Sequence, residues 1–101
     1  MALHADIQEQ LKGALRAKNA VRLRTIRSML ASFTNELVAT GKKPGRTLPD
    51  DAALAVVRRL AKQRKDSIEQ FQKGGRTDLV AQESQELAVL ENYLPQLMSQ
   101  A

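Results

Sequence analysis

Few residues of this chain are of types that do covalent or proton-transfer chemistry, and their spacing narrows what remains open. His4 is the only histidine. It lies near a terminus with no nucleophile beside it, so a solvated side chain is expected rather than a general base. Ser67 with Lys62 or Lys65 has the residue types of a serine–lysine amidase pair. It falls mid-helix, however, and no glycine-rich element offers an oxyanion hole. Asp66 lies four residues after Lys62 and reads most simply as a surface ion pair. Glu83 and Glu86 are two carboxylates without a histidine, a poor metal site. Gly74-Gly75 lacks the lysine and hydroxyl context of a phosphate-binding loop. With no cysteine there is no disulfide, thiol nucleophile or cysteine-ligated metal. The expectation is no catalytic residue, no metal and no cofactor, hence a chain that is not an enzyme on its own.

One charged residue interrupts an apolar pattern. Ala53, Val57, Leu60 and Ala61 recur at helical spacing, and Ile68 and Phe71 resume the stripe. Arg64 falls on that apolar side, one turn before Ile68. Glu83 breaks the apolar side of the next helix in the same way. If the two helices reverse near position 75, facing residue numbers sum to about 150, which brings Arg64 within a turn of Glu83 and Glu86. Reciprocal breaks of opposite sign predict a partly buried ion pair that fixes the register of the hairpin.

The elements that position these groups are four helices. The first runs from about Ala5 to Lys18, with Leu3, Ile7, Leu11 and Leu15 on one face and a break at Asn19. The second runs from about Ala20 to Thr40 on a seam of Leu23, Ile26, Leu30, Phe33 and Leu37. Gly41 and Pro44 end it, and the loop Gly41-Lys42-Lys43-Pro44-Gly45-Arg46 is the best candidate for a mobile basic arm. The third starts near Pro49, with Thr47 and Asp50 placed for a variant capping box, and ends at Lys73. The fourth follows Gly74-Gly75 with Thr77 as N-cap and Pro95 as its stop. The composition agrees: apolar content is 43%, mostly Ala, Leu and Val, with Phe33, Phe71 and Tyr93 the only aromatics. The predicted fold is all-α, a small four-helix bundle-like domain whose last two helices form an antiparallel hairpin. Its seam is expected to hold Ile26, Leu30, Phe33, Leu37, Val57, Ile68, Phe71, Leu87 and Leu90.

Charge is unevenly spread. The net +5 resolves into −2 over residues 1–10, +11 between Lys12 and Arg76, and −4 over 77–101. Arg16, Lys18, Arg22, Arg24 and Arg27 gather at the first helix junction, and Lys42, Lys43 and Arg46 mark the loop. Arg58, Arg59, Lys62 and Lys65 form a second helical stripe. Such residues neutralise phosphates and bind nucleic acid in a salt-dependent, largely sequence-independent way. The aromatics fall at seam positions, so base stacking is not expected, and folded RNA read by shape is the preferred polyanion. No apolar run approaches the roughly 20 residues of a membrane span, and the first residues lack signal-peptide regions. A soluble, cytoplasmic protein without membrane contact is therefore expected.

Four interrupted motifs occur in order. They are Leu23-x-x-Ile26-Arg27 with Ala31 and Asn35-Glu36; Lys62-Gln63-Arg64-Lys65-Asp66-Ser67-Ile68-Glu69-Gln70-Phe71; Gly75-Arg76-Thr77-Asp78-Leu79; and Glu83-x-x-Glu86-Leu87-x-x-Leu90-x-x-Tyr93-Leu94-Pro95. Together they resemble the YqeY-like family, related to the C-terminal region of the B subunit of glutamyl/aspartyl-tRNA amidotransferase. The resemblance implies an N-terminal helical domain over 1–95, with 96–101 the start of a linker to a smaller helical tail domain not contained here. Ser99 would be the N-cap of its first helix. It also implies association with tRNA-dependent amidotransferases or aminoacyl-tRNA synthetases. Free-standing members inherit the label of a carbon–nitrogen ligase with glutamine as amide donor, for which this sequence supplies no catalytic residues. The expected function is a non-catalytic module that binds tRNA backbone. The alternative is a protein-interaction or self-association module that binds no RNA.

Overall fold

A computed structural model describes residues 2–94. Among them are four helices and no strand: α1 (Leu3–Ala17), α2 (Ala20–Ala39), α3 (Asp50–Lys73) and α4 (Thr77–Glu91). The all-α class is therefore as the sequence predicts. The chain divides into two compact units, Met1–Val56 and Val57–Ala101, and α3 begins in the first and ends in the second.

In the first unit α1 and α2 pack against each other across a two-residue reversal. Lys18 adopts the left-handed conformation (φ 54°). Its N–H donates to the Leu15 carbonyl at 3.2 Å, and the Asn19 N–H donates to that of Ala14 at 3.3 Å. These bonds close the helix in a Schellman motif. The Asn19 side chain then caps α2, accepting the Arg22 N–H at 3.1 Å. Leu3, Ile7 and Ala14 form the buried stripe of α1, whereas Leu15 is 48% exposed. Strict four-residue spacing drifts about 40° per step on a 3.6-residue helix, which carries Leu15 off the face. On α2, Ile26, Met29, Phe33 and Leu37 are fully buried, and Leu30 only partly.

Gly41 (φ 80°) ends α2 in a second Schellman motif, with Gly41 N–H to Val38 O at 3.0 Å and Lys42 N–H to Leu37 O at 2.8 Å. Residues 41–47 are exposed, and Leu48 turns inward. Its N–H donates to Nδ1 of His4 at 2.9 Å, while the Leu3 N–H donates to Oδ1 of Asp50, also at 2.9 Å. The expectation of a solvated His4 is corrected here. The ring is buried 4.7 Å from that of Phe33, and burial holds its pKa below the ordinary imidazole value. It accepts a backbone bond, so it is a neutral structural residue that ties the start of α1 to the chain ahead of α3.

In the second unit α3 and α4 fold back about Gly74-Gly75. Gly75 (φ 71°) supplies the left-handed residue of a third Schellman motif, with Arg76 N–H to Phe71 O at 2.9 Å. Thr77 is the first residue of α4 rather than its cap. Arg76 stands at the N-cap position and makes no side-chain cap bond. Val57, Leu60, Ala61 and Leu90 are buried. Ile68, Phe71 and Leu87 of the expected seam are only half-buried. Pro95 and the expected linker over 96–101 lie outside the described residues.

Candidate nucleic-acid interface

The twelve cations singled out from the sequence separate by what they touch. Arg16, Lys18, Arg27, Lys42, Lys43 and Arg46 are exposed and make no ion pair or side-chain hydrogen bond among the described residues. All six belong to the first unit. The Lys18–Asn19 reversal sets Arg16 and Lys18 at one end of the α1–α2 hairpin. Arg27 projects from α2 on the side away from Ile26 and Met29. The Arg22 guanidinium donates to Oε1 of Gln10 at 3.1 Å, and Arg24, Arg58 and Arg59 also have partners within the chain. Lys62 pairs with Asp66 at 3.3 Å and Lys65 with Glu91 at 3.8 Å. The second helical stripe is thus exposed but largely engaged, whereas six of the nine cations of the first unit have no partner among the described residues. That unit holds nine Lys and Arg against five acids; the second holds seven against six.

Within the second unit the hairpin brings Arg64, Glu83 and Glu86 together. Nε of Arg64 lies 3.1 Å from Oε1 of Glu86 and 4.0 Å from Oε2 of Glu83. Glu86 is 4% exposed overall. The Arg64 Nε–H does not point along either approach, so this buried nitrogen makes no well-aligned hydrogen bond. The contact is a Coulombic pair rather than a bidentate fork. At the turn, the Arg76 guanidinium hydrogen-bonds Asp78 and holds its carboxyl below the usual aspartate value, helped by the Leu79 N–H.

The other chemistry-bearing residues are also placed. Ser67 is half-buried on α3, and the two lysines that could serve it have their ammonium groups on Asp66 and Glu91. Among the described residues no group of three or more His, Cys, Asp or Glu is arranged to hold a metal. No helix there is long and apolar enough to cross a membrane. Sequence reasoning missed His4 and Asp50 as the fastenings of the first unit. The one signal for His4 was its position on the α1 face shared with Ile7 and beside Leu3.

A family model described as Yqey-like protein matches residues 4–101 of this chain. The chain belongs to the Yqey-like family. Three relatives named "Altered inheritance of mitochondria protein 41, mitochondrial" agree with that placement. The protein of Lachancea thermotolerans is 42% identical over 94 residues, covering 92% of this chain and 48% of its own length. That of Kluyveromyces lactis is 38% identical over 89 residues, covering 88% and 46%. That of Eremothecium gossypii is 36% identical over 93 residues, covering 92% and 49%. The chain spans about half the length of the curated relatives it matches. Their names overturn the expectation of a cytoplasmic protein, since these Yqey-like relatives are named as mitochondrial. Cysteine-free helical composition suits any reducing aqueous compartment equally, so it carried no address.

Proposed function

We propose that this Yqey-like chain is a non-catalytic helical module that holds tRNA, or another folded RNA, by its phosphate backbone. Catalysis would belong to a partner amidotransferase or aminoacyl-tRNA synthetase. The observation that carries this reading is the set of six exposed cations, all in the first unit, that have no partner among the described residues. A cation already paired must exchange one anion for another, whereas a free one gains a phosphate contact and releases counterions. Phe33 is fully buried, and Phe71 and Tyr93 are half-buried, which favours backbone contact over base stacking.

A titration with tRNA at low and near-physiological salt, beside a scrambled RNA duplex of equal length, tests the proposal. Affinity that falls steeply with salt for both RNAs is expected, because phosphate contacts carry no sequence information. No binding at low salt refutes it. The second reading, a protein-docking module, rests on the exposed Leu15 and Val38, which are 48% and 56% accessible. Salt-resistant association with a protein partner would then take its place.

A further inference from the structure

The loop between α2 and α3 has a geometry that RNA backbone contact does not require. Gly41, Lys42, Lys43, Arg46 and Thr47 line an open depression of about 400 Å³. That is the size of a small-molecule site rather than of a stretch of RNA helix. Three of its five lining residues are cations, none of them acidic, and the cations have no partner among the described residues. We propose that this loop is a discrete site for a compact polyanion, a linked di- or triphosphate chain.

Three features build the site. First, the loop is fastened at both ends: the Gly41 Schellman motif closes α2, and Leu48 is buried with its N–H on His4. The basic loop is thus anchored at its ends, and an Arg46 N–H to Lys43 O bond at 3.0 Å folds its middle. Less ordering is then left for the ligand to impose. Second, the carbonyls of Glu36, Leu37 and Val38 at the end of α2 already accept bonds from the chain. The Thr40 N–H and hydroxyl bond Glu36 O, the Gly41 N–H bonds Val38 O, and the Lys42 N–H bonds Leu37 O. Third, the charge matches. Two ammonium groups and a guanidinium around one concavity repel one another when it is empty, and a short phosphate chain neutralises them together. Arg16, Lys18 and Arg27 are not among the residues that line this concavity.

Calorimetric titration of the protein with sodium tripolyphosphate, ATP and orthophosphate tests the site. One-to-one binding of tripolyphosphate is expected, with orthophosphate much weaker. The K42Q/K43Q/R46Q variant should lose at least about tenfold in affinity, because each charge-assisted contact is a strong one. R16Q/K18Q/R27Q should lose less than about twofold, as its residues lie outside the depression. All six side chains are exposed, and helicity by circular dichroism confirms that both variants fold. Equal affinity for ATP and tripolyphosphate supports an inorganic chain; clearly tighter ATP supports a nucleotide-borne one. No binding of tripolyphosphate, or equal losses in both variants, overturns the site. RNA binding that persists while tripolyphosphate fails removes this site alone and leaves the RNA reading standing.

Discussion

Replacing Glu86 by glutamine keeps the shape of a buried side chain and removes the charge beside a buried arginine nitrogen. At 3.1 Å, with an effective dielectric near 20, the gross attraction of Arg64 and Glu86 is about 5 kcal/mol, against about 4 for Glu83 at 4.0 Å. Desolvation offsets most of either figure, and the poorly aligned Nε–H forgoes part of the rest. The Arg64 and Glu86 side chains are 21% and 5% exposed, so removing one partner leaves a mostly buried charge behind. We expect E86Q to cost about 2–3 kcal/mol, somewhat less than a fully buried pair, because Glu83 remains as a second, longer partner. E83Q should cost less than about 1 kcal/mol, and E83Q/E86Q about 3–5 kcal/mol. Replacing both members of the closer pair by apolar residues, R64M/E86L, should recover part of what R64M alone loses, since only Glu83, the more distant carboxylate, is then left without the arginine. Urea denaturation followed by circular dichroism reads these differences as shifts in midpoint at constant slope. An E86Q midpoint equal to that of the unmodified protein, or R64M/E86L no more stable than R64M alone, refutes the reasoning.

Four further outcomes are expected. If all six free cations meet phosphates, log affinity for RNA should fall with log salt at a slope of about −4 to −5, and R16Q/K18Q/R27Q should roughly halve it; an unchanged slope sinks the interface. Because burial lowers the folded-state pKa of His4, the unfolded chain takes up its proton first. Stability should therefore hold above about pH 7.5 and decline as pH falls through about 6.5, and H4N should lose that dependence in pH-resolved urea melts. K18G should stabilise the fold by about 0.5–1 kcal/mol, because Lys18 occupies a left-handed position that glycine adopts freely, while it weakens RNA binding. F33A should cost about 3–5 kcal/mol and F71A roughly half of that, since only Phe33 is fully enclosed.

What could be read from the sequence was what local chemistry determines. Gly41, Gly75 and Asn19 mark helix ends because a left-handed residue and a side-chain cap are needed at those positions. The hairpin register follows from one turn: the numbers of Arg64 and Glu86 sum to 150, as a reversal near 75 requires. Other features depend on partners distant in the chain. His4 meets Leu48 and Leu3 meets Asp50 across 44 and 47 residues, and no neighbouring residue announces either bond. The leucines spaced by four implied too long a buried stripe, because Leu15 drifts off it. The positions of the cations were plain, but which remain free depended on contacts such as Arg22 with Gln10 and Lys65 with Glu91.

The Schellman turns at Lys18 and Gly75 have a kinetic consequence. Each joins helices only two or three residues apart, so most contacts within each hairpin are local in sequence, and such topologies form on microsecond to millisecond timescales. The His4–Leu48 and Leu3–Asp50 bonds are different, because they join residues 44 and 47 apart and are therefore expected to form after the hairpin. Interactions made after the transition state govern how long the native state survives rather than how fast it is reached. Acid that protonates His4 should accordingly raise the unfolding limb of a chevron plot, at unchanged slope, and leave the refolding limb almost where it was.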